Sequence, residues 1–121
     1  MRLLLPLAVC ALGWSSIAHA QHPGSFQPLG CAPLPSMATA VYLNTVVVNG
    51  TVGIPSGATL ADIQVTTQNV NYRDDGTAPT ATTGITIFAG PSFLPYSAAL
   101  NAMQLIQVAG TATGFVCFYR G

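Results

Sequence analysis

The feature that most constrains this fold is a pair of cysteines, Cys31 and Cys117, that stand near the two ends of a nearly uncharged chain. The third cysteine, Cys10, lies in an N-terminal segment with the properties of a signal peptide. Two cysteines left in an oxidising compartment usually form one bridge. Because a bridge across so long a loop contributes about 4–5 kcal/mol in the chain-entropy model, we predict a Cys31–Cys117 disulfide that stabilises a small domain.

The first twenty residues are typical of a signal peptide. Arg2 gives a positive start and an apolar run covers 3–13. Ala18 and Ala20 are small residues at the two positions that a signal peptidase recognises. A helix of that run is about 16 Å long, too short to cross a bilayer. We therefore predict cleavage between Ala20 and Gln21 and delivery to the periplasm or the exterior; the style of the signal is bacterial.

Residues 21–121 are nearly free of charge, and this limits the partners of the mature chain. Charged residues make up 5% of the full sequence, against about 25% in ordinary soluble domains. Removal of the signal leaves two arginines and three aspartates: Arg73, Arg120, Asp62, Asp74 and Asp75. Two separate cations cannot neutralise a row of phosphates, so nucleic acid and anionic membranes are excluded as partners. A charge-poor surface favours self-association or a neutral partner.

Proline, glycine and β-branched residues indicate an extended arm followed by a β-rich domain. Residues 21–36 contain four prolines and predict a Pro-rich extended arm; residues 37–121 predict one small domain. Asn49-Gly50 between two apolar runs predicts a β-hairpin. A strand over 60–72 changes its apolar phase near Gln68-Asn69, which predicts a bulge or bend.

The segment 97–109 departs from the β pattern and predicts a helix. Ser97 is a suitable N-cap and Gly110 a suitable residue after the C-terminus of a helix. At helical spacing, Asn101, Gln104 and Gln107 continue one polar stripe from Ser97, while the apolar residues fall elsewhere.

The last strand, residues 115–119, is apolar on both faces, which predicts a central strand or one whose second face meets another molecule. We therefore expect an α+β domain, mainly antiparallel β, with one helix near 97–109 before the C-terminal strand. The candidate topologies are an OB-like barrel and, if 97–109 is not helical, a small sandwich.

No residue pattern in the chain supports catalysis, so we predict that the protein is not an enzyme and needs neither cofactor nor metal. His22, the one histidine after cleavage, lies in the arm, where nothing holds it in place as a general base. Asp74 and Asp75 precede Gly76 in a sequence typical of a turn.

With catalysis set aside, the sequence favours a protein that binds other molecules. We predict a secreted or periplasmic protein that acts through protein–protein contacts, as a self-associating or assembly subunit. The alternative is a small binding module for a neutral ligand such as a glycan, or for an envelope or host target. The candidate interaction surface consists of Val116, Phe118, Asn101, Gln104 and Gln107; the arm, tethered by Cys31, is expected to decide whether the Val116–Phe118 face is covered.

Overall fold

A computed structural model describes residues 25–121. The predicted signal peptide, the Ala20–Gln21 cleavage site and His22 lie outside the described residues. The described chain forms ten strands: β1 Gln27–Pro33, β2 Val41–Tyr42, β3 Val47–Val48, β4 Thr51–Val52, β5 Leu60–Val65, β6 Val70–Arg73, β7 Ile85–Ile87, β8 Leu94–Tyr96, β9 Gln104–Gln107 and β10 Gly114–Arg120. Single-turn 3₁₀ helices occur at Leu43–Thr45 and Leu100–Ala102.

The strands form two antiparallel sheets. Sheet A has the order β1-β10-β5-β8 and sheet B the order β2-β9-β6-β7, while β3 and β4 form a separate hairpin. Buried side chains from both sheets make up one hydrophobic core. Each sheet has two edge strands in the described part of the chain, so the arrangement corresponds to the sandwich interpretation rather than to a closed barrel.

The period-2 alternation of strands explains which side chains fill this core. In β5, the side chains of Ala61, Ile63 and Val65 are fully buried. In the neighbouring strand β10, those of Val116 and Phe118 are fully buried beside them on the same face of sheet A. The intervening residues of both strands point to the opposite face of sheet A. Burying one face of each sheet against the other gives a domain of this size its main source of stability.

The predicted hairpin is confirmed. Val48 and Thr51 pair across the two-residue turn Asn49-Gly50, and both turn residues have positive φ, 51° and 82°. Those angles are the ones that a tight turn matching the strand twist requires, and asparagine and glycine adopt them with least strain.

The change of apolar phase near Gln68-Asn69 marks a passage between sheets. β5 belongs to sheet A and β6 to sheet B, so the chain leaves one sheet and enters the other across residues 66–69. Thr67 holds this corner, because its Oγ1 donates to the carbonyl oxygen of Thr111 at 2.8 Å and accepts from the backbone N–H of Thr113 at 2.9 Å.

The helix predicted over 97–109 is wrong. The segment forms one 3₁₀ turn and then strand β9, which lies between β2 and β6 in sheet B. Both sides of β9 therefore find backbone partners in the sheet, and this tertiary pairing outweighs the local preference for a helix. Gly110 does adopt a positive φ of 61°, but it does so in the turn between β9 and β10.

The predicted arm contains β1, one of the two edge strands of sheet A. β1 pairs with β10, and the register shifts between Pro28 and Gly30, where one strand has an extra residue. A bulge and two prolines, Pro28 and Pro33, are features with which natural proteins protect an exposed sheet edge.

Candidate functional site

The two cysteines pair across β1 and β10. Cys31 and Cys117 are direct partners in the antiparallel register, and their sulfur atoms are 2.08 Å apart. The pairing predicted from the sequence is thus present in the structure. Cys31 is exposed and Cys117 half-buried, so the bridge lies on the outer face of sheet A, away from the core.

The outer face of sheet A is the side of β10 that stays exposed. Phe115, Cys117 and Tyr119 point outward. The prediction that β10 is apolar on both faces describes its sequence correctly, but the candidate surface residues Val116 and Phe118 are both 0% exposed. That part of the predicted interaction surface is wrong, because these two side chains fill the core under sheet B.

An open cleft of about 290 Å³ lies on this outer face. Its lining combines three aromatic rings, two polar side chains and the disulfide: Asp62, Gln64, Phe93, Phe115, Cys117 and Tyr119. Phe93 and Phe115 are 58% and 47% exposed. We call this feature the sheet A cleft.

Two polar side chains line the floor of the sheet A cleft. Gln64 pairs with Phe115 in the register of β5 and β10, and its Nε2 donates to the carbonyl oxygen of Gly90 at 3.1 Å. That bond fixes the orientation of the Gln64 amide, and its Oε1 accepts no hydrogen bond from another described residue. Asp62 pairs with Cys117, and partial burial raises the pKa of its carboxyl above the usual value.

The predicted polar stripe does not form one surface. Asn101 is exposed, Gln107 is half-buried and Gln104 is only 6% exposed. Oε1 of Gln107 accepts from the backbone N–H of Ala112 at 3.0 Å, so this amide stabilises the turn before β10. Asn101 lies in another open cleft, of about 560 Å³, lined only by uncharged residues of 54–59 and 97–102.

Asp74 and Asp75, which follow β6, form bonds within the fold. Asp75 forms an ion pair with Arg73 at 2.5 Å and accepts from the backbone N–H of Thr77 at 3.1 Å, and these bonds hold the pKa of its carboxyl below the usual value. Asp74 accepts a hydrogen bond from the hydroxyl of Tyr96. Within residues 25–121, no group of three or more histidine, cysteine, aspartate or glutamate side chains is arranged to hold a metal ion.

The edge strand β7 is a second surface with exposed apolar side chains. Ile85 is 58% exposed, and Phe88, just beyond the strand, is 72% exposed. Of the four edge strands of sheets A and B, β1 and β8 contain proline and β2 has two residues, whereas β7 contains neither proline nor charge. The outward backbone groups of Ile85–Ile87 make no hydrogen bond with any other described residue.

Comparisons with protein families, curated proteins and solved structures find no match for this chain. Within residues 25–121, no helix is long and apolar enough to span a membrane.

The sequence does not predict that the residues of the sheet A cleft lie together. Strand alternation puts Phe115 and Tyr119 on one face of the last strand, but both faces of that strand are apolar, so the sequence does not show which of them is outward. Phe93 and Gln64 lie far from that strand in the chain, and only the pairing of β5 with β8 and β10 brings them beside it.

Proposed function

We propose that this chain is an exported, non-catalytic protein that acts through protein–protein contacts and associates with copies of itself along strand β7. The observation that carries the proposal is the edge of β7, which combines unpaired backbone groups with the exposed side chains of Ile85 and Phe88. An uncharged edge of this kind accepts a further strand in the same sheet.

A second copy fits this edge by symmetry. Two copies related by a two-fold axis place β7 antiparallel to itself, which joins the two B sheets into one sheet of eight strands. The side chains of Ile85 and Phe88 then lie beside the added strand, which removes part of their apolar surface from water in both copies. Residues 21–121 carry a net charge of −1, from two arginines against three aspartates, so the copies repel each other only weakly.

The cysteine pair supports the part of the proposal that concerns export. The Cys31–Cys117 pair is within bonding distance, and disulfides persist mainly outside the cytosol. The described aspartates with hydrogen-bond partners, Asp74 and Asp75, bond to a tyrosine and to an arginine within the fold. We propose recognition, rather than proton transfer, as the function.

Sedimentation equilibrium of residues 21–121 at tens of micromolar tests this proposal. The wild-type protein is expected to show a reversible monomer–dimer equilibrium. The double variant Ile85→Lys, Phe88→Lys is expected to be monomeric, because two added positive charges per copy would lie close to those of the partner and repel them. The matched control is Val47→Lys, Val52→Lys, which adds the same charge at exposed positions of the β3–β4 hairpin. A monomeric wild type, or a β7 variant that still dimerises like the control, would refute the proposal.

A further inference from the structure

Two of the three aromatic rings of the sheet A cleft, those of Phe93 and Phe115, are exposed. Four of the five phenylalanines are exposed: Phe26, Phe88, Phe93 and Phe115. Two of these, Phe93 and Phe115, line the same cleft. The core beneath is filled by Phe118 and its neighbours, so these outer rings lie outside the core and together offer an apolar surface for contact with something outside the chain.

The two rings are held apart by strand β5. Phe115 lies on β10 and Phe93 immediately before β8, and these strands flank β5 on its two sides. Neighbouring strands are about 4.8 Å apart, so the two rows of side chains are separated by about 10 Å. Gln64 occupies the position between them. The cleft is therefore an elongated platform and not a cage that closes on one point.

Gln64 and Asp62 present hydrogen-bond acceptors to the sheet A cleft, and the hydroxyl of Tyr119 can both donate and accept. Gln64 has its Nε2 engaged with Gly90 and offers Oε1. Asp62 offers its carboxylate, which has neither a hydrogen-bond nor an ion-pair partner among the described residues. Both arginines of the described chain are bonded elsewhere, Arg73 to Asp75 and Arg120 to Gln27.

These features select one class of ligand. An anion would meet the Asp62 carboxylate with no cation beside it. Ammonium groups are recognised best in a cage of several aromatic rings, whereas here Phe93 and Phe115 belong to strands on opposite sides of β5. A chain of sugar rings has flat C–H faces that stack on aromatic rings and hydroxyl groups that donate to carbonyl and carboxylate oxygens.

We propose that the sheet A cleft binds a neutral oligosaccharide, with sugar rings stacked on Phe93 and Phe115 and hydroxyl groups donating to Gln64 and Asp62. The partial burial that raises the pKa of the Asp62 carboxyl fits this role, since sugar hydroxyls replace the water that the carboxylate has lost. This site is on sheet A, whereas the edge β7 is on sheet B, so binding and self-association are separate properties.

The test is a titration of ¹⁵N-labelled residues 21–121 with cellohexaose, maltohexaose and chitohexaose at millimolar concentrations. At least one of the three is expected to shift the amide resonances of residues 62–64, 93 and 115. Phe115→Ala and Phe93→Ala are each expected to weaken that binding by about tenfold. Phe26→Ala is the matched control, because it removes an exposed ring that lies outside both the cleft and the β7 edge, and it is expected to bind with wild-type affinity.

Three outcomes would overturn the proposal: no shift with any of the three sugars, binding that Phe115→Ala leaves unchanged, or stronger binding of tetramethylammonium than of the sugars at the same amides. The third would assign the cleft to cations. A sugar-binding protein that stays monomeric would instead refute the assembly proposal alone.

Discussion

Tyr96 donates its hydroxyl hydrogen to the carboxylate of Asp74, and this bond joins the two sheets. Tyr96 lies in β8 of sheet A, and Asp74 directly follows β6 of sheet B. The same hydroxyl oxygen accepts from the backbone N–H of Ala99 at 3.1 Å, and the ring of Tyr96 meets that of Tyr72 edge to face at 5.8 Å. One side chain thus contacts the second sheet through both its ring and its hydroxyl.

This arrangement predicts that stability falls at high pH. Burial, followed by the hydrogen bond to Asp74, raises the pKa of Tyr96 well above its usual value of 10.0. The folded state therefore holds the phenolic proton more tightly than the unfolded chain does. That contribution is fully present below pH 10 and is lost as the pH rises through the raised pKa of Tyr96.

Urea unfolding between pH 8 and pH 11 measures this effect. Tyr96→Phe is expected to lower the free energy of unfolding at pH 8 by about 1–2 kcal/mol, through the lost hydrogen bond. It is also expected to flatten the decline above pH 10. Burial raises the pKa of Tyr72 as well, so a smaller decline remains in the variant. Parallel pH profiles for the wild type and the variant would contradict this account of the bond.

Gly30 is required where the edge strand passes the hairpin. Its φ is 148°, and a Cβ at this position would lie 2.5 Å from Cγ1 of Val48. Gly30→Ala is expected to lower the free energy of unfolding by about 1–3 kcal/mol. Gly90→Ala is the matched control, since Gly90 has a φ of 149° with no other atom within 4 Å of the added carbon. Equal losses in the two variants would show that the contact with Val48 has no part in the effect.

The disulfide is expected to stabilise the domain by restricting its unfolded chain. Because the bridge links residues 86 positions apart, replacing both cysteines by serine should lower the free energy of unfolding by about 4 kcal/mol. Urea denaturation of the double variant and of the reduced wild type checks this, and the two should agree. If the double variant matched the oxidised wild type, the bridge would contribute nothing to stability.

Features that depend on neighbouring residues could be predicted from this sequence, and features that depend on distant pairing could not. Asn49-Gly50 specifies its hairpin because the turn itself demands positive φ. The segment that contains Gln104 and Gln107 has helical spacing, yet it forms β9 because β2 and β6 pair with it from both sides. No pattern within the segment itself indicates that β2 and β6 will pair with it.

The face of β10 illustrates the same limit for the candidate site. The sequence shows that both faces are apolar, but only packing against sheet B decides that Phe118 is buried and Phe115 exposed. Both are phenylalanines, so hydrophobicity cannot separate them. The sheet A cleft and the β7 edge both depend on the order of strands in the sheets, which the sequence does not show.

The central claim, that copies associate along β7, is tested most directly by hydrogen exchange at single amides as a function of protein concentration. Pairing of two β7 strands predicts that the outward amides within Ile85–Ile87 exchange more slowly as the concentration rises from low to tens of micromolar, while amides of the β3–β4 hairpin are unchanged. Exchange in β7 that is independent of concentration would contradict the account.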